Sequence, residues 1–366
     1  MYTRRKFLTS TLTATAVLTF GGLPGLNGTV LAQDMPGTGK RQLGRSGIEI
    51  APFVLGGNVF GWGITDKQRA FDILDHYLDA GFQAIDTADA YSHWVPGNSG
   101  GDSETLIGEW LRSRGRRDSV VLITKVGAPW GDNGGGLAPA YIERAVEGSL
   151  RRLQTDHIDV YFSHFPDPAT PHEETLAAYQ RLIEAGKVRA IGASNFSIEQ
   201  VRVALDVSAA NGLPRYEVLQ PTYNLYDRRD DGTSGYAYAY FDRALADLAL
   251  ADGLGVITHS SLAQGFLSGK YRSEADLSQS VRGPAVARYL NAHGHRILAA
   301  LDEVAARHQA QPAEVALAWN LSHRGLTAPI ASVTSIEQLD SLLRAPALAQ
   351  ALTEEDIAVL NQADTA

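Results

Sequence analysis

The sequence predicts a (β/α)8 barrel with a small β-hairpin ahead of its first strand. Three observations predict it. From residue 53 onward a short apolar run, a loop and a stretch of helical period recur eight times. No long structureless gap interrupts the alternation. Polar residues end most of the apolar runs, where a barrel gathers them at one mouth. A doubly wound open sheet also alternates strands and helices. That arrangement advertises a G-x-G-x-x-G turn after its first strand, and Gly56, Gly57, Gly61 and Gly63 do not have this spacing.

The elements follow in chain order. Residues 1–32 read as an export leader: Thr3-Arg4-Arg5-Lys6-Phe7-Leu8, an uncharged stretch from Thr9 to Phe20, and a small-residue exit at Val30-Leu31-Ala32. The paired arginines match the twin-arginine signal, which routes proteins that have already folded; an ordinary secretory leader is the alternative. This reading makes the export machinery a partner and places the mature protein in the periplasm or otherwise outside the cytoplasm. The apolar stretch is too short and too Thr-rich for a stable membrane anchor. Residues 33–40 read as a linker and 41–366 as the barrel. Arg41 to Ala51 forms the hairpin, turning at Arg45-Ser46-Gly47.

Eight apolar runs are expected as strands: Phe53–Gly57, Phe82–Asp86, Val120–Lys125, Ile158–His164, Val188–Ser194, Val218–Thr222, Val256–Ser260 and Ala328–Ile330. The helix after the first is expected to start at an N-cap Thr65, to bury Phe71, Leu74 and Leu78, and to stop at Gly81. Further helices are expected over Ser103–Arg114 and Ala138–Leu153, up to Gly186, Asn211 and Gly253, and over Ser335–Arg344.

Composition narrows the function. The chain has a net charge of −9, and loss of Arg4, Arg5 and Lys6 with the leader takes it to −12. An acidic surface argues against nucleic acid or an anionic membrane as partner. No cysteine is present, so disulfides, thiolate nucleophiles and Cys-ligated metals are excluded, and no metal site is expected.

The runs end on Asp86, Lys125, His164, Ser194-Asn195, Gln220 and His259-Ser260, and Tyr91 follows Asp86 closely. A carboxylate beside an ammonium keeps Lys125 charged. A lysine near a phenol is expected to lower the pKa of Tyr91. A neutral His164 would orient a polarised oxygen. Together Asp86, Tyr91, Lys125 and His164 would protonate a carbonyl oxygen as hydride or a nucleophile reaches its carbon.

The stretches Asp86-Thr87-Ala88-Asp89-Ala90-Tyr91, Ile123-Thr124-Lys125, His164-x-Pro166-Asp167, Gly192-Ala193-Ser194-Asn195-Phe196, Gln220-Pro221-Thr222-Tyr223-Asn224-Leu225 and Leu262 through Tyr271 occur in this order. From about Arg41 to its end the chain thereby resembles the aldo-keto reductases, in the branch of bacterial oxidoreductases and potassium-channel β-subunits. The resemblance implies a barrel that binds NADP(H), or NAD(H), extended across its mouth and passes hydride to a small aldehyde or ketone. It implies Tyr91 as general acid, tuned by Lys125 and Asp86, with His164 orienting the carbonyl. It places Ser194, Asn195 and Gln220 against the nicotinamide carboxamide. It assigns Gly57, Asn58, His259, Ser260, Leu262, Gly265, Lys270, Ser332, Thr334 and Gln338 to the remainder of the cofactor.

Three departures bear on cofactor choice. His259-Ser260-Ser261-Leu262 stands where Tyr-Ser-Pro-Leu is usual, and the histidine offers a smaller stacking face. Ala331 to Ser335 carries no Lys or Arg for a 2′-phosphate. Leu342 replaces a common asparagine, although Gln338 is kept. NADPH and NADH therefore both stay open.

Phe60, Trp62, Trp94 and Trp130 are expected to line an apolar substrate pocket. The glycine-rich loops 97–101 and 131–136 are expected to close over it. Tyr236, Tyr238 and Tyr240 suit either a lid or a partner surface. A carbonyl reductase is the leading reading. The alternatives are an exported, cofactor-bound sensor or accessory subunit with slow turnover, and a lyase using Lys125 as a Schiff base. The lyase ranks last, because a lysine held charged is a poor nucleophile.

Overall fold

Leu43, Ile48 and Ile50 decide what the N-terminal hairpin does. Strands β1 (Arg41–Gln42) and β2 (Glu49–Ile50) pair antiparallel. The three apolar side chains are fully or almost fully buried against inward-pointing residues of the barrel strands. The hairpin thus plugs the barrel. The computed structural model describes residues 39–130, 134–228 and 238–365. The expected leader, linker residues 33–38, loop residues 131–133 and Tyr236 lie outside them.

Eight parallel strands close the barrel in the order β10-β3-β4-β5-β6-β7-β8-β9. They are β3 (Val54–Gly56), β4 (Ala84–Asp86), β5 (Val121–Val126), β6 (Ile158–Ser163), β7 (Val188–Ser194), β8 (Tyr216–Gln220), β9 (Gly255–Thr258) and β10 (Ala328–Ala331). Helices α1 (Lys67–Asp79), α2 (Asp102–Arg114), α3 (Pro139–Leu153), α4 (His172–Glu184), α5 (Ile198–Asn211) and α6 (Arg243–Asp252) follow β3 to β8 in turn. The fold is the expected (β/α)8 barrel.

Every strand carries side chains to both faces, because helices cover the outside and packed side chains fill the inside. Val54, Ala84, Ile123, Val160, Phe162, Val218 and Ile257 pack inside. Gly192 on β7 makes room there, since a Cβ would lie 2.4 Å from the Phe162 ring. The larger core lies between the strands and the helices.

The boundaries shift for local reasons. The sixth barrel strand starts at Tyr216, which pairs with Ile191, and stops before Pro221, which has no N–H for the ladder. The seventh stops at Thr258, because Ser260 turns to a positive φ of 57°. Asp66, not Thr65, caps α1: its carboxylate accepts from the Arg69 N–H at 2.7 Å.

Between β9 and β10 the sequence reading placed no element. The structure has 3₁₀ turns at Ala263–Ser268, Glu274–Gln279 and Ala287–Tyr289, and α7 (Gly283–Val286), α8 (Ala292–His308) and α9 (Pro312–Leu321). Helix α9 is buried on all sides and shows no amphipathic stripe. After β10 come α10 (Ile336–Leu343), capped by Ser335, then α11 (Ala345–Ala351) and α12 (Glu354–Thr365). Among the described residues no helix is long and apolar enough to cross a membrane.

Candidate active site

Because the strands run parallel, their C-terminal residues meet at one mouth, over a cavity of about 1120 Å³. Asp86 ends β4, Lys125 stands one residue before the end of β5, and His164 follows β6 directly. The loop after β4 returns Tyr91 to them. Lys125 is fully buried, and its Nζ donates to Asp86 Oδ1 at 2.6 Å, Thr87 O at 2.7 Å and Tyr91 Oη at 2.9 Å. Gln220 Nε2 donates to Asp86 Oδ2 at 2.8 Å, so both carboxylate oxygens are held. The Tyr91 and His164 rings meet edge to face at 6.1 Å.

Burial sets the proton affinities. It pushes the Tyr91 hydroxyl well above the ordinary phenol range; the Asp86 carboxylate, 3.4 Å away, adds to this and Arg282 opposes it. The expected lowering by Lys125 is thus reversed, and Tyr91 holds its proton throughout the neutral range. Burial pulls Lys125 down and Asp86 opposes. At 2.6 Å from a carboxylate we assign it as the ammonium, whose three N–H groups match its three acceptors. An ammonium has no lone pair, so it accepts nothing from Tyr91, and the phenol hydrogen points instead to Asp86 Oδ1 across a long 3.4 Å. The same absence removes the Schiff-base route. Burial, then Lys125 and His259, hold His164 far below its ordinary value, so it is neutral. His164 Nδ1 is buried with no hydrogen-bond partner among the described residues.

Around this group lies a fixed polar frame. Ser194 Oγ donates to Gln220 O at 3.0 Å, and Asn195 Nδ2 donates to His164 O at 2.9 Å. His259, lowered to about 3 by burial and Lys125, is neutral. Its Nε2 lies 3.2 Å from Asn195 Oδ1 and 3.1 Å from Thr222 Oγ1, and its Nδ1 lies 3.1 Å from Ser260 Oγ. Since Asn195 Oδ1 only accepts, Nε2 carries the proton and Nδ1 accepts from Ser260.

Away from Tyr91 the cavity runs past Ser260, Leu262, Gly265 and Lys270 to Asn58, Ser332, Thr334 and Gln338. Ser332 Oγ donates to Asn58 Oδ1 at 2.6 Å, and Thr334 N donates to Gln338 Oε1 at 2.9 Å. Gly57 is a correction. Its carbonyl accepts from Ser103 Oγ at 2.8 Å and it faces away, while Gly56 lines the cavity.

The aromatic expectations divide. Trp62 and Trp94 line the cavity and meet edge to face at 5.7 Å. Phe60 does not line it: its side chain is 1% exposed, in the core under the loop after β3. Trp130 does not line it either, because its ring packs over Gly100 and near His93 and ties two loops together.

Sequence reasoning missed several lining residues. Phe165 stacks on His164 at 5.1 Å; Tyr238, which the sequence offered as a lid or a partner surface, lines the cavity, stacks on Phe165 at 6.5 Å and meets His259 edge-on at 5.4 Å. Phe165, beside His164 in sequence, was open to detection. Arg69 on α1 and Arg282 just before α7 also line the cavity, and no motif marks either.

Comparison with known proteins identifies the family. Residues 52–365 match the model of the Aldo/keto reductase family. The chain is 36% identical over 328 residues to the uncharacterized oxidoreductase YrpG of Bacillus subtilis, covering 87% of this chain and 94% of that one. It is 29% identical over 331 residues to norsolorinic acid reductase B of Aspergillus parasiticus, covering 86% and 81%. It is 30% identical over 326 residues to a probable voltage-gated potassium channel subunit beta of Oryza sativa, covering 86% and 93%. A barrel that gathers Asp86, Tyr91, Lys125 and His164 at one mouth, matched to one family over nearly all its described length, belongs to the aldo/keto reductases and is an oxidoreductase.

Proposed function

We propose that the chain reduces an aldehyde or ketone to the alcohol, with Tyr91 as proton donor and a bound nicotinamide dinucleotide. The observation that carries the reading is the hydrogen-bond chain from Asp86 through Lys125 to Tyr91, at 2.6 and 2.9 Å, beside a neutral His164. The residues present suit such a cofactor. The cavity is large, about 1120 Å³, and is lined by amide and hydroxyl groups and by Arg69, Lys270 and Arg282. The dinucleotide supplies hydride when bound.

The chain's own residues do the rest. His164 and Tyr91 converge on a carbonyl oxygen and orient it. Lys125 places positive charge behind the phenol and stabilises the phenolate left when Tyr91 gives up its proton. Asp86 fixes Lys125, and Gln220 fixes Asp86. Phe165 and Tyr238 stack beside His164 and give the carbonyl an apolar wall.

NADP(H) is the proposed cofactor, with NAD(H) as competitor; Arg69, near Thr334 and Gln338, supplies the cation that residues 331–335 lack. Export of the folded, cofactor-loaded protein by a twin-arginine route is proposed from the sequence of residues 1–32 alone. Fractionation of cells expressing the chain with Arg4 and Arg5 changed to Lys checks it.

The test of function follows NADPH oxidation with a panel of aldehydes. Tyr91→Phe is expected to lower kcat by roughly 10²- to 10⁴-fold while leaving the Kd for NADPH unchanged. Tight NADPH binding with no turnover of any aldehyde by the parent protein would replace this reading with the sensor or accessory role.

A further inference from the structure

Two residues beyond the proton donor, His93 lines the cavity and takes no part in proton transfer. Its ring is clamped. Ala90 O accepts from the His93 backbone N at 3.2 Å and lies 2.9 Å from Nδ1. A carbonyl oxygen only accepts, so in the neutral ring Nδ1 carries the hydrogen and Nε2 presents a bare lone pair. Trp94, edge-on at 5.2 Å, and Trp130, at 6.3 Å, hold the imidazole from its sides. Among the described residues nothing donates to Nε2. An acceptor is thus fixed in tautomer and orientation before a ligand arrives.

The surroundings indicate which ligand. Asp167, which closes the motif His164-x-Pro166-Asp167, also lines the cavity. Its Oδ2 accepts from Leu137 N at 2.8 Å and from Thr170 Oγ1 at 2.7 Å, and its Oδ1 accepts from Ala169 N at 2.9 Å. Burial raises its proton affinity, but these bonds outweigh burial and hold the carboxyl below its ordinary value. Asp167 is therefore an anion that accepts and never donates. His93 and Asp167 stand on the loops after β4 and β6, which flank β5 in the barrel. The dinucleotide's track leaves Tyr91 the other way, past the ends of β7 to β10. Trp94, 44% exposed and edge-on to Tyr91 at 6.3 Å, joins His93 to the proton donor. Phe165, stacked on His164, leads toward Asp167. A ligand with its carbonyl at Tyr91 and His164 meets acceptors with its other end. An anion there is repelled by Asp167. A free amine condenses with a carbonyl. A hydroxyl is the donor that coexists with an aldehyde and suits both acceptors.

We propose that His93 Nε2 accepts a hydrogen bond from a hydroxyl group of the carbonyl substrate, so that the chain selects hydroxylated aldehydes or ketones over their deoxy analogues. The proposal rests on the reductase reading and names the substrate class for the same site.

The experiment compares D-erythrose with butyraldehyde, using the full chain and saturating NADPH. The ratio of their kcat/KM values is compared between proteins, which cancels the intrinsic reactivity of each aldehyde. In His93→Phe, which keeps a ring and loses the acceptor, the ratio is expected to fall roughly 3- to 10-fold, through KM rather than kcat. His93→Gln, whose amide oxygen accepts, is expected to recover part of it. Equal losses for the two aldehydes mark a structural role for His93 and overturn the proposal, as does a ratio that His93→Phe leaves unchanged. A constant ratio with a weakened Kd for NADPH overturns it too, because the donor is then a ribose hydroxyl of the dinucleotide. Turnover of neither aldehyde overturns the reductase reading instead. The hydroxyl site is then read by quenching of tryptophan fluorescence, with Trp94 as the near reporter and xylitol and 1-pentanol as probes. Xylitol binding that weakens more than 1-pentanol binding in His93→Phe supports the site, and equal changes overturn it.

Discussion

Asp86 accepts from Lys125 through one oxygen and from Gln220 through the other, so the position of Lys125, and through it of Tyr91, depends on a residue that ends a distant strand. Gln220→Leu is expected to leave the fold intact and to lower kcat more than it raises KM, because Asp86 loses the bond that fixes it. Single-turnover and steady-state kinetics separate the two effects. At the other end of the cavity, Arg69 acts on Glu337 and lines the wall with Thr334 and Gln338. Arg69→Ala is expected to weaken NADPH by roughly 5- to 20-fold and NADH far less, with a gap that narrows as salt rises. Fluorescence titration with both nucleotides measures it.

At the scale of elements, the strand-to-helix loops carry the strain and the helices carry the support. Seven described non-glycine residues have positive φ. Two, Gln154 and Gln309, are helix C-caps. The other five, Ser92, Asn195, Ser260, Ala263 and Gln264, lie in loops after β4, β7 and β9, around the cavity. Backbone held this way persists only where the surroundings over-determine it, which fits loops that must aim side chains at one point. Helices α2 and α3 provide such surroundings. Glu104 on α2 accepts from Thr124 on β5 at 2.6 Å and from Arg152 on α3 at 2.7 Å. The contact is close because Gly108 has no side chain: a Cβ there would lie 2.1 Å from Arg152 O. Gly108→Ala gains about 1 kcal/mol of helix propensity. It also forces two backbones apart, which costs about 1–3 kcal/mol or more. The net expectation is destabilisation, read as a lower urea midpoint.

For the whole molecule, buried neutral groups set the pH range of stability. His259 and His164 are held far below the value near 6.5 that they take when unfolded. Below pH 6.5 the unfolded chain therefore binds more protons than the native one. Stability is full above 6.5 and falls as pH drops, for His259 until about 3. Each such histidine contributes up to about 1.4 kcal/mol per pH unit in that window. His259→Gln is expected to flatten the slope of unfolding free energy against pH between 6.5 and 4, measured by urea denaturation. The alkaline limit has the opposite origin. Burial raises Tyr77, Tyr161, Tyr179 and Tyr216 above their ordinary value. They stay neutral while the unfolded chain ionises near pH 10, so stability is full below 10 and declines above it.

The sequence by itself determined the barrel, because its eight strands and most of the helices between them are written in local periodicity and punctuation. Val188–Ser194 was legible to the residue, and the capping serine of α10 and the glycine after α1 were legible as stops and starts. It also placed Asp86, Lys125 and His164 at the mouth, since a residue at the end of a parallel strand has only one place to go. Between β9 and β10, α9 is buried on every face and presents no stripe to read, whereas α8, capped by Asn291 and burying Ile297, Leu298, Leu301 and Val304, carried a stripe that was open to detection. Only the tertiary structure decided the rest. Phe60 and Trp130 have the composition of a pocket wall, yet one fell into the core and the other between two loops. Arg69 and Arg282 have the composition of solvated surface, yet both were carried to the cavity. The pKa of Tyr91 rose because burial outweighed the neighbouring cation. The physical reason is the same in each case. Periodicity reports which face of an element is apolar, but burial and charge depend on what other elements bring to that face.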